Sequence, residues 1–378
     1  MKRVKLFIDA GPILEKRLSG IGHLTLRMIQ ALAAQSDYDI RLLVPAAKVQ
    51  LLDQWQLKNV KVVRVPFLAR IWNNWPRIKF MPPIDVVFGR GLYLFPNFKR
   101  WPLAFSPSIT YVHDISFELF PQFTEPRNLR MLAGNVARWA QASTLVVTDS
   151  NTSRQEILDH YKLAADKVKA IYCGVDATFK PATKAEVTAV RNKYGITKPY
   201  LFFLSNLEPR KNIRRLVQAL SELPQNYKTK YSFVLVGGMG WQNDEILAEI
   251  TKAQAAGWDI IKPKAYVPDS DVPPLLTGAE LLVHPALHEG FGIPVVEAMA
   301  CRTPVVASDI PVLREIAGNA AAYADPYSAA DIAAKIEHVL TDVKYRQELV
   351  AAGEKAAQKF TWSAAANQLI AYSKGIRP

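Results

Sequence analysis

The sequence predicts an α/β protein made of two doubly wound, parallel-sheet domains. Short apolar runs alternate with segments whose apolar residues follow helical spacing, as in strands joined by crossover helices. The alternation stops in a polar, proline-flanked stretch and then starts again. The chain has 378 residues, which is enough for two or three domains of ordinary size.

In the first half, VKLFID at 4–9 predicts a buried strand and HLTLRMIQALAAQ at 23–35 a helix. A loop carrying Gly20-Ile21-Gly22 is expected between them. Further strands are predicted at 40–45, 109–114, 143–150 and 168–174. Strand, helix and strand in this order favour a parallel sheet.

The stretch 181–199 is charged and flanked by prolines, which indicates an interdomain connection with a short helix. After it, strands are predicted at 200–206, 233–238, 279–286 and 303–308, and helices at 212–223, 244–257 and from 294. Two terminal helices are predicted at 331–360 and 362–376. Trp362 puts a large apolar group into a charged surface pattern, so the last helix is expected to dock elsewhere on the chain.

Composition excludes several classes of protein. With 49% hydrophobic and 21% charged residues, the chain is not disordered, collagen-like or a coiled coil. Cys173 and Cys301 are its two cysteines, which form neither a disulfide framework nor a metal-binding spacing and favour a reducing compartment. No apolar run reaches about 18 residues, so the expectation is a cytoplasmic protein that can also be peripheral to a membrane.

The net charge of +13 is concentrated in the first half. Residues 1–180 hold 25 Lys and Arg against 14 Asp and Glu, whereas the remainder holds 22 against 20. This imbalance indicates an acidic partner, such as phosphate, nucleic acid or an anionic lipid surface. No nucleic-acid-binding motif accompanies the charge, so nucleic acid is not expected.

The stretch 58–105 is both basic and aromatic. Residues 58–100 hold nine Lys and Arg against one acid, Asp85, and residues 67–105 hold ten aromatics, including Trp72, Trp75 and Trp101. One interpretation is an anionic membrane surface. The alternative is that these aromatics are core residues of the first domain, because prolines at 66, 76, 82 and 83 break any long amphipathic helix.

The segment HEGFGIPVVEAMACRTPVVASD at 288–309 carries the strongest chemical signal. Gly290-Phe291-Gly292 can turn tightly beside a ligand, and Pro294 suits the first position of a helix. Glu297 is then expected in the first turn of that helix. Free N–H groups at such a terminus bind anions, and two carboxylates beside them suit sugar hydroxyls. The alternative is that Glu297 only complements the helix dipole and Glu289 is a solvated loop residue.

Three further segments lie where a ligand could bind. Arg210 and Lys211 follow a strand at the carboxyl edge of the second sheet, where ligands of open parallel sheets bind. Gly20 and Gly22 follow the first strand, and His113 stands at a predicted strand end. The alternative for Arg210 and Lys211 is that they are solvated surface charges. For Gly20 and Gly22 it is an ordinary turn, and for His113 a structural histidine.

Taken in order, these segments resemble the retaining family 4 glycosyltransferases. HPALHEGFGIPVVEAMACRTPVVASDIPVLREIAG, with Glu289 and Glu297 separated by seven residues, is similar to the family signature. LSNLEPRKNI, SGIGHLTLRMI, TYVHDISFELFP and TDSNTSRQEIL are similar to other family segments in the same order. The resemblance covers nearly the whole chain except about 46–85.

The resemblance implies a GT-B fold, in which two Rossmann-like domains face each other across a cleft. Residues 1–182 would bind the acceptor, 183–360 the nucleotide sugar, and 361–378 would form a helix crossing back to the first domain. It also implies retaining transfer of a hexose from a nucleotide-diphosphate sugar in cell-surface polysaccharide synthesis. The acceptor would be a saccharide, free or linked to polyprenyl diphosphate. Neither a metal nor another cofactor is expected.

The resemblance also assigns roles to residues. Glu297 would bind the ribose hydroxyls, Glu289 the transferred sugar, Arg210 and Lys211 the diphosphate, and His113 the sugar during acceptor alignment. The Gly22 amide would approach the diphosphate, and the backbone at Tyr266 and Val267 the base. The implied donor-binding set also includes Gly20, Asn206, Gly290, Phe291, Gly292, Ile293 and Val296.

Three positions depart from the family pattern. Arg302 stands where glycine is usual, Cys173-Gly174 where Asn-Gly is usual, and Asn206 where arginine or threonine is common. Two alternatives to this function stay open. A sugar phosphorylase or a starch- or glycogen-type synthase shares the fold, and a non-catalytic nucleotide-sugar-binding or partner subunit would share the site.

Overall fold

The computed structural model describes residues 3–35, 38–66 and 82–376. These residues belong to two compact units. The first comprises Met1–Gly174 with Thr361–Pro378, and the second comprises Val175–Phe360. Trp72, Trp75 and Pro76 lie outside the described residues.

The first unit contains a seven-stranded sheet in which all pairings are parallel. Its order is β3-β2-β1-β4-β5-β6-β7. The strands are β1 Val4–Asp9, β2 Tyr38–Pro45, β3 Val60–Val65, β4 Leu92–Phe95, β5 Ser108–Tyr111, β6 Leu145–Thr148 and β7 Val168–Ala170. The helices are α1 Gly20–Ala34, α2 Ile84–Phe88, α3 Ser116–Leu119, α4 Pro126–Leu132, α5 Val136–Ala142, α6 Asn151–Tyr161 and, from the C-terminal segment, α16 Trp362–Ser373.

Aromatic residues of the basic stretch form part of this unit's core. The Tyr93 ring stacks on Phe7 with centroids 4.6 Å apart, and Trp101 contacts Phe95 edge-on. Tyr93, Phe95 and Trp101 are all buried. For these three, the structure favours the core interpretation over a membrane surface. Phe105, by contrast, is 64% exposed.

The C-terminal helix α16 packs on α1 within the first unit. Hydrogen bonds join Tyr38 to Ser373 and Gln35 Nε2 to the Ser363 carbonyl. A Cβ on Gly174 would lie 2.3 Å from the Trp362 nitrogen. The two chain segments of the first unit, which end at Gly174 and begin at Thr361, are therefore in contact there.

The second unit contains a six-stranded, wholly parallel sheet of order β10-β9-β8-β11-β12-β13. Its strands are β8 Tyr200–Leu204, β9 Ser232–Val236, β10 Asp259–Ile261, β11 Leu281–His284, β12 Val305–Ser308 and β13 Ala322–Ala324. Its helices are α7 Lys184–Tyr194, α8 Ile213–Glu222, α9 Tyr227–Lys230, α10 Asp244–Ala255, α11 Val272–Thr277, α12 Ile293–Ala300, α13 Pro311–Ala317, α14 Ala329–Thr341 and α15 Val343–Ala357. Strand order reverses between β8 and β11 here and between β1 and β4 in the first sheet, as in doubly wound folds.

Three local predictions need correction. The predicted connection 181–199 packs into the second unit, where α7 contacts α11 and Ala182 N–H donates to Thr277 Oγ1. The single helix predicted at 331–360 is two helices, because Asp342 caps the second by accepting from Tyr345 N–H. Helix α1 begins at Gly20, because Ser19 caps it.

Candidate functional site

The richest cluster of polar residues lies at the switch point of the second sheet. After β8 the chain leads to Arg210 and Lys211, and after β11 it leads to Glu289. Adjacent strands β8 and β11 end at the same edge, so these residues meet although 78 positions separate Lys211 from Glu289. This is the edge at which doubly wound sheets bind ligands.

The turn Pro209–Lys211 is held rigidly against the strand ends. Asn212 follows it in the left-handed conformation, with φ +59°. Its side-chain amide donates to the carbonyls of Pro285 and Pro326, at 3.0 and 2.7 Å. Burying this fully bonded amide fixes the direction in which Arg210 and Lys211 leave the turn.

Glu289 is the centre of the cluster and is only 6% exposed. Its Oε1 accepts from Lys211 Nζ at 2.6 Å and from His284 Nε2 at 2.8 Å. Its Oε2 accepts from Arg210 Nη1 at 3.3 Å. The Arg210 guanidinium also donates to the His288 carbonyl and, at 3.0 Å, to the buried Glu208 carboxylate. Two cations are therefore balanced by two carboxylates.

The charge state of Glu289 follows from these partners. Burial by itself opposes ionisation, but Lys211, Arg210 and the His284 hydrogen bond outweigh it and hold the pKa of Glu289 well below its usual value. Glu289 is thus an ionised carboxylate with three internal donors. The alternative of a solvated loop residue is wrong.

The helix beside this cluster begins with unpaired amides. Gly292 precedes α12 with φ +96°, a conformation that glycine adopts without strain. Among the described residues, the N–H groups of Gly292 and Ile293 have no hydrogen-bond partner. Pro294 is the second helical residue, not the first as predicted, and Glu297 accordingly lies beyond the first turn.

Glu297 differs from Glu289 in its surroundings. It is partly buried, and its carboxyl makes no hydrogen bond or ion pair to the described residues. Burial, reinforced by the carboxylates of Asp269 and Asp176, raises the pKa of Glu297 to about 8. An unpartnered carboxyl of this kind is suited to binding hydroxyl groups.

The other predicted donor-binding residues of this unit are dispersed around the same edge. Asn206 is exposed, and its Oδ1 accepts from Gly238 N–H. Tyr266 is 47% exposed and donates to Asp269, whereas Val267 is buried. Phe291 packs edge-on against Phe360. Gly290 and Val296 are buried, and Val296 offers no exposed side chain for a ligand.

In the first unit, Gly20 and Gly22 belong to the first turn of α1 and not to a loop. The Gly22 N–H donates to Ser19 Oγ at 3.3 Å, so this amide already has a partner. A Cβ on Gly22 would lie 2.9 Å from the Pro12 carbonyl oxygen, whereas one on Gly20 would meet nothing within 4 Å. Glycine at position 22 is thus required for packing, and its predicted contact with diphosphate stays a prediction.

His113 follows β5 and is buried with both ring nitrogens bonded. Nδ1 lies 2.9 Å from Asp149 Oδ2, and Nε2 lies 2.9 Å from the Pro96 carbonyl oxygen. Sequence reasoning missed three polar residues of these clusters: Asp149, Glu208 and His284. The position of each at or just after a strand end was the available signal.

The described residues contain neither a metal-binding cluster nor a membrane-spanning helix. No group of three or more His, Cys, Asp and Glu side chains among them is arranged to hold a metal ion. No described helix is both long and apolar enough to cross a membrane.

Comparison with known proteins assigns the class. A family model described as "Glycosyl transferases group 1" matches residues 186–356, and one described as "Glycosyltransferase Family 4" matches residues 18–179. The O-antigen chain mannosyltransferase B of Escherichia coli is 30% identical over 97% of this chain and 98% of its own. The chain therefore belongs to the group 1 glycosyltransferases of the family 4 type, and it is a glycosyltransferase.

Two further comparisons are informative. The serotype-specific mannosyltransferase WbdA of Escherichia coli is 27% identical over 68% of this chain, a match that spans 32% of WbdA. The crystal structure of Anabaena HepE in complex with UDP and glucose matches with a TM-score of 0.72 at 20% identity, over 99% of this chain and 100% of that one. The two doubly wound units together with this match confirm the predicted GT-B fold.

Proposed function

We propose that the protein transfers mannose from a nucleoside-diphosphate mannose to a saccharide acceptor, with the donor bound at the switch point of the second unit. The proposal rests mainly on the Arg210–Lys211–Glu289 cluster beside the amides of Gly292 and Ile293, which make no hydrogen bond to the described residues. The names of the two Escherichia coli relatives support mannose as the sugar. They also support a growing cell-surface polysaccharide as acceptor, which we propose to be lipid-linked.

The charges of the cluster fit a diphosphate leaving group. Negative charge grows on the phosphate as the bond to the sugar breaks, and Arg210, Lys211 and the start of α12 would stabilise it. The loss of one such donor costs about 3 kcal/mol, or roughly a hundredfold in rate. Glu289 is ionised, so it is not the proton donor. Its Oε2 accepts one hydrogen bond from the described residues, and a carboxylate oxygen can accept a second, such as one from a sugar hydroxyl.

We further propose retention of anomeric configuration. The bond from C1 to the phosphate oxygen breaks, the acceptor oxygen bonds to C1 on the same face, and the departing phosphate takes the acceptor's proton. No metal is required in this scheme. NMR of the product's anomeric centre tests it, and an inverted product would overturn retention.

Donor panels test the function directly. The protein is incubated with a saccharide acceptor and one donor at a time, chosen from UDP-, GDP-, ADP- and dTDP-sugars that include GDP-mannose. Turnover is measured as release of nucleoside diphosphate, and donor binding is measured by calorimetry. Turnover with a mannose donor is expected, and Glu297→Gln should weaken binding. Glu245→Gln is the matched control, because that carboxylate is exposed and pairs only with the surface residue Arg214 among the described residues. Turnover of another sugar only would overturn mannose, and binding without turnover would indicate the non-catalytic alternative.

Peripheral association with an anionic membrane is also proposed for the first unit. The exposed Phe105 ring carries the Arg90 guanidinium 4.9 Å from its centroid, which combines an apolar group with a cation. Phe105→Asp should weaken sedimentation with anionic vesicles. Equal sedimentation of variant and wild type would overturn the proposal.

A further inference from the structure

Four strand ends of the first sheet bring polar groups together around His113. Pro96 directly follows β4, Asp149 directly follows β6, and Cys173 comes three residues after β7. His113 and Asp149 are each 6% exposed, and Cys173 is 3% exposed. The cluster is therefore enclosed in the unit and is not a group of surface charges.

The partners of the ring determine where its protons lie. Both the Pro96 carbonyl oxygen and an ionised Asp149 carboxylate can only accept hydrogen bonds. Both contacts are 2.9 Å long, so Nδ1 and Nε2 each need a proton to satisfy them. The ring is then an imidazolium paired with a carboxylate. If either ring nitrogen of His113 lost its proton, its lone pair would face an acceptor oxygen, and the repulsion would be costly in a buried site.

The remaining neighbours hold the ring in place. Phe98 contacts it edge-on with centroids 5.3 Å apart, and Tyr111 lies 5.7 Å from it. Asp149 Oδ1 is buried and has no hydrogen-bond partner among the residues that the structure describes. An oxygen left in that state costs free energy. The burial of this carboxylate is therefore unfavourable, and its bonded oxygen, Oδ2, contacts His113.

We propose that Asp149 is a positioning residue that holds His113 as a fixed imidazolium, so that His113 contributes a positive charge to the transfer reaction and not a hydrogen bond to the sugar. This inference rests on the proposed function, because it assigns His113 a part in that reaction. It also revises the role implied by the family resemblance, since both ring N–H groups are already engaged.

The charged and titratable groups around the ring are consistent with this state. Asp149, Asp114, Tyr111 and the Cys173 thiol face the cluster. Burial disfavours the imidazolium, but Asp149 and the Pro96 carbonyl outweigh it, and the pKa of His113 is raised. Burial, reinforced by Asp149, raises the pKa of the Cys173 thiol well above its usual value, so the thiol stays neutral.

Nitrogen NMR of the full-length protein labelled with ¹⁵N-histidine tests the protonation state without depending on activity. The chain has six histidines, and His113→Gln identifies the signal. In the wild type, both ring nitrogens should keep the shifts of an imidazolium from pH 6 to pH 8. A neutral His113 ring at pH 7.5 would overturn the proposal, whatever the activity of the variants.

Asp149→Asn tests the positioning role, because the variant is nearly isosteric. With its carboxylate removed, His113 should titrate at its usual pKa of about 6.5 or below. The ratio of kcat/KM at pH 6 to that at pH 8 should then rise about 25-fold relative to the wild type, as the imidazolium fraction falls. Asp159→Asn removes an exposed aspartate of the same unit and should leave the ratio unchanged.

The outcomes separate this inference from the proposed function. An equal loss of activity at both pH values, with His113 still protonated, would show that Asp149 only supports the fold and would overturn the inference. The second outcome is that His113 is an imidazolium in the wild type and not in Asp149→Asn, while the protein turns over no donor sugar. This result would overturn the proposed function and the role of the His113 charge in transfer, but it would leave the pairing of His113 with Asp149 intact.

Discussion

Replacing Glu297 by glutamine should stabilise the ligand-free protein, and the gain should grow with pH. The pKa of Glu297 is raised from its usual 4.5 to about 8, because burial and the carboxylates of Asp269 and Asp176 disfavour its charge. The folded state therefore binds more protons than the unfolded state between these values, and wild-type stability falls as pH rises from about 4.5 to about 8. Glutamine has no proton to lose.

The size of the effect follows from that pKa. Each pKa unit corresponds to about 1.4 kcal/mol, so between pH 5.5 and 7.5 the wild type should lose up to about 2.5 kcal/mol relative to Glu297→Gln. This figure is an upper limit, because the side chain is partly exposed and solvent screens it.

Urea unfolding followed by tryptophan fluorescence measures this difference, since Trp241 and Trp258 lie in the second unit. Glu245→Gln is the control and should track the wild type at every pH. Parallel stability curves for wild type and Glu297→Gln would refute the reasoning, because they would show that Glu297 has the same pKa in the folded and unfolded states.

Three further predictions concern packing and charge. Gly22→Ala should destabilise the protein, because the added Cβ would press on the Pro12 carbonyl oxygen, whereas Gly20→Ala should be neutral or stabilising by about 0.5–1 kcal/mol. If thermal unfolding ranks the two variants in the opposite order, α1 does not begin at Gly20. Glu289→Gln should cost up to about 3 kcal/mol, because the part-buried cations Lys211 and Arg210 each lose a carboxylate partner; an unchanged midpoint of urea unfolding would disprove the pairing. Arg302 has φ +62° at the end of α12, so Arg302→Gly should be more stable than Arg302→Ala, which keeps the strain; the reverse order in urea midpoints would refute this.

The sequence was most informative where strands are buried on both faces. Strand β8 was predicted at 200–206 and lies at Tyr200–Leu204, because a wholly apolar run bounded by polar residues has few other stable arrangements. Strand β3 was missed. It is an edge strand in which three of the six residues are exposed, and its Lys61 pairs with Asp39. Its basic residues therefore look in the sequence like part of a surface segment.

Of the candidate site, the residue types were predictable and their partners were not. Arg210, Lys211, Glu289 and Glu297 stand out because glycines, a proline and charges follow predicted strands. His284 stands in an apolar run, where its place at the end of β11 is its only signal, yet its Nε2 donates to Glu289. The predicted domain roles, acceptor binding for 1–182 and donor binding for 183–360, stay predictions.

The sequence by itself determined the alternation of strands and helices, the family and the residues that carry charge at the sheet edges. These properties are local, since they depend on spacing along the chain. The tertiary structure decided which residues meet: within the described part of the chain, Glu289 has three donors and Glu297 has none, and His113 lies between two acceptors. The physical reason is that a pKa depends on burial and on charges a few ångströms away, which come from strands far apart in sequence.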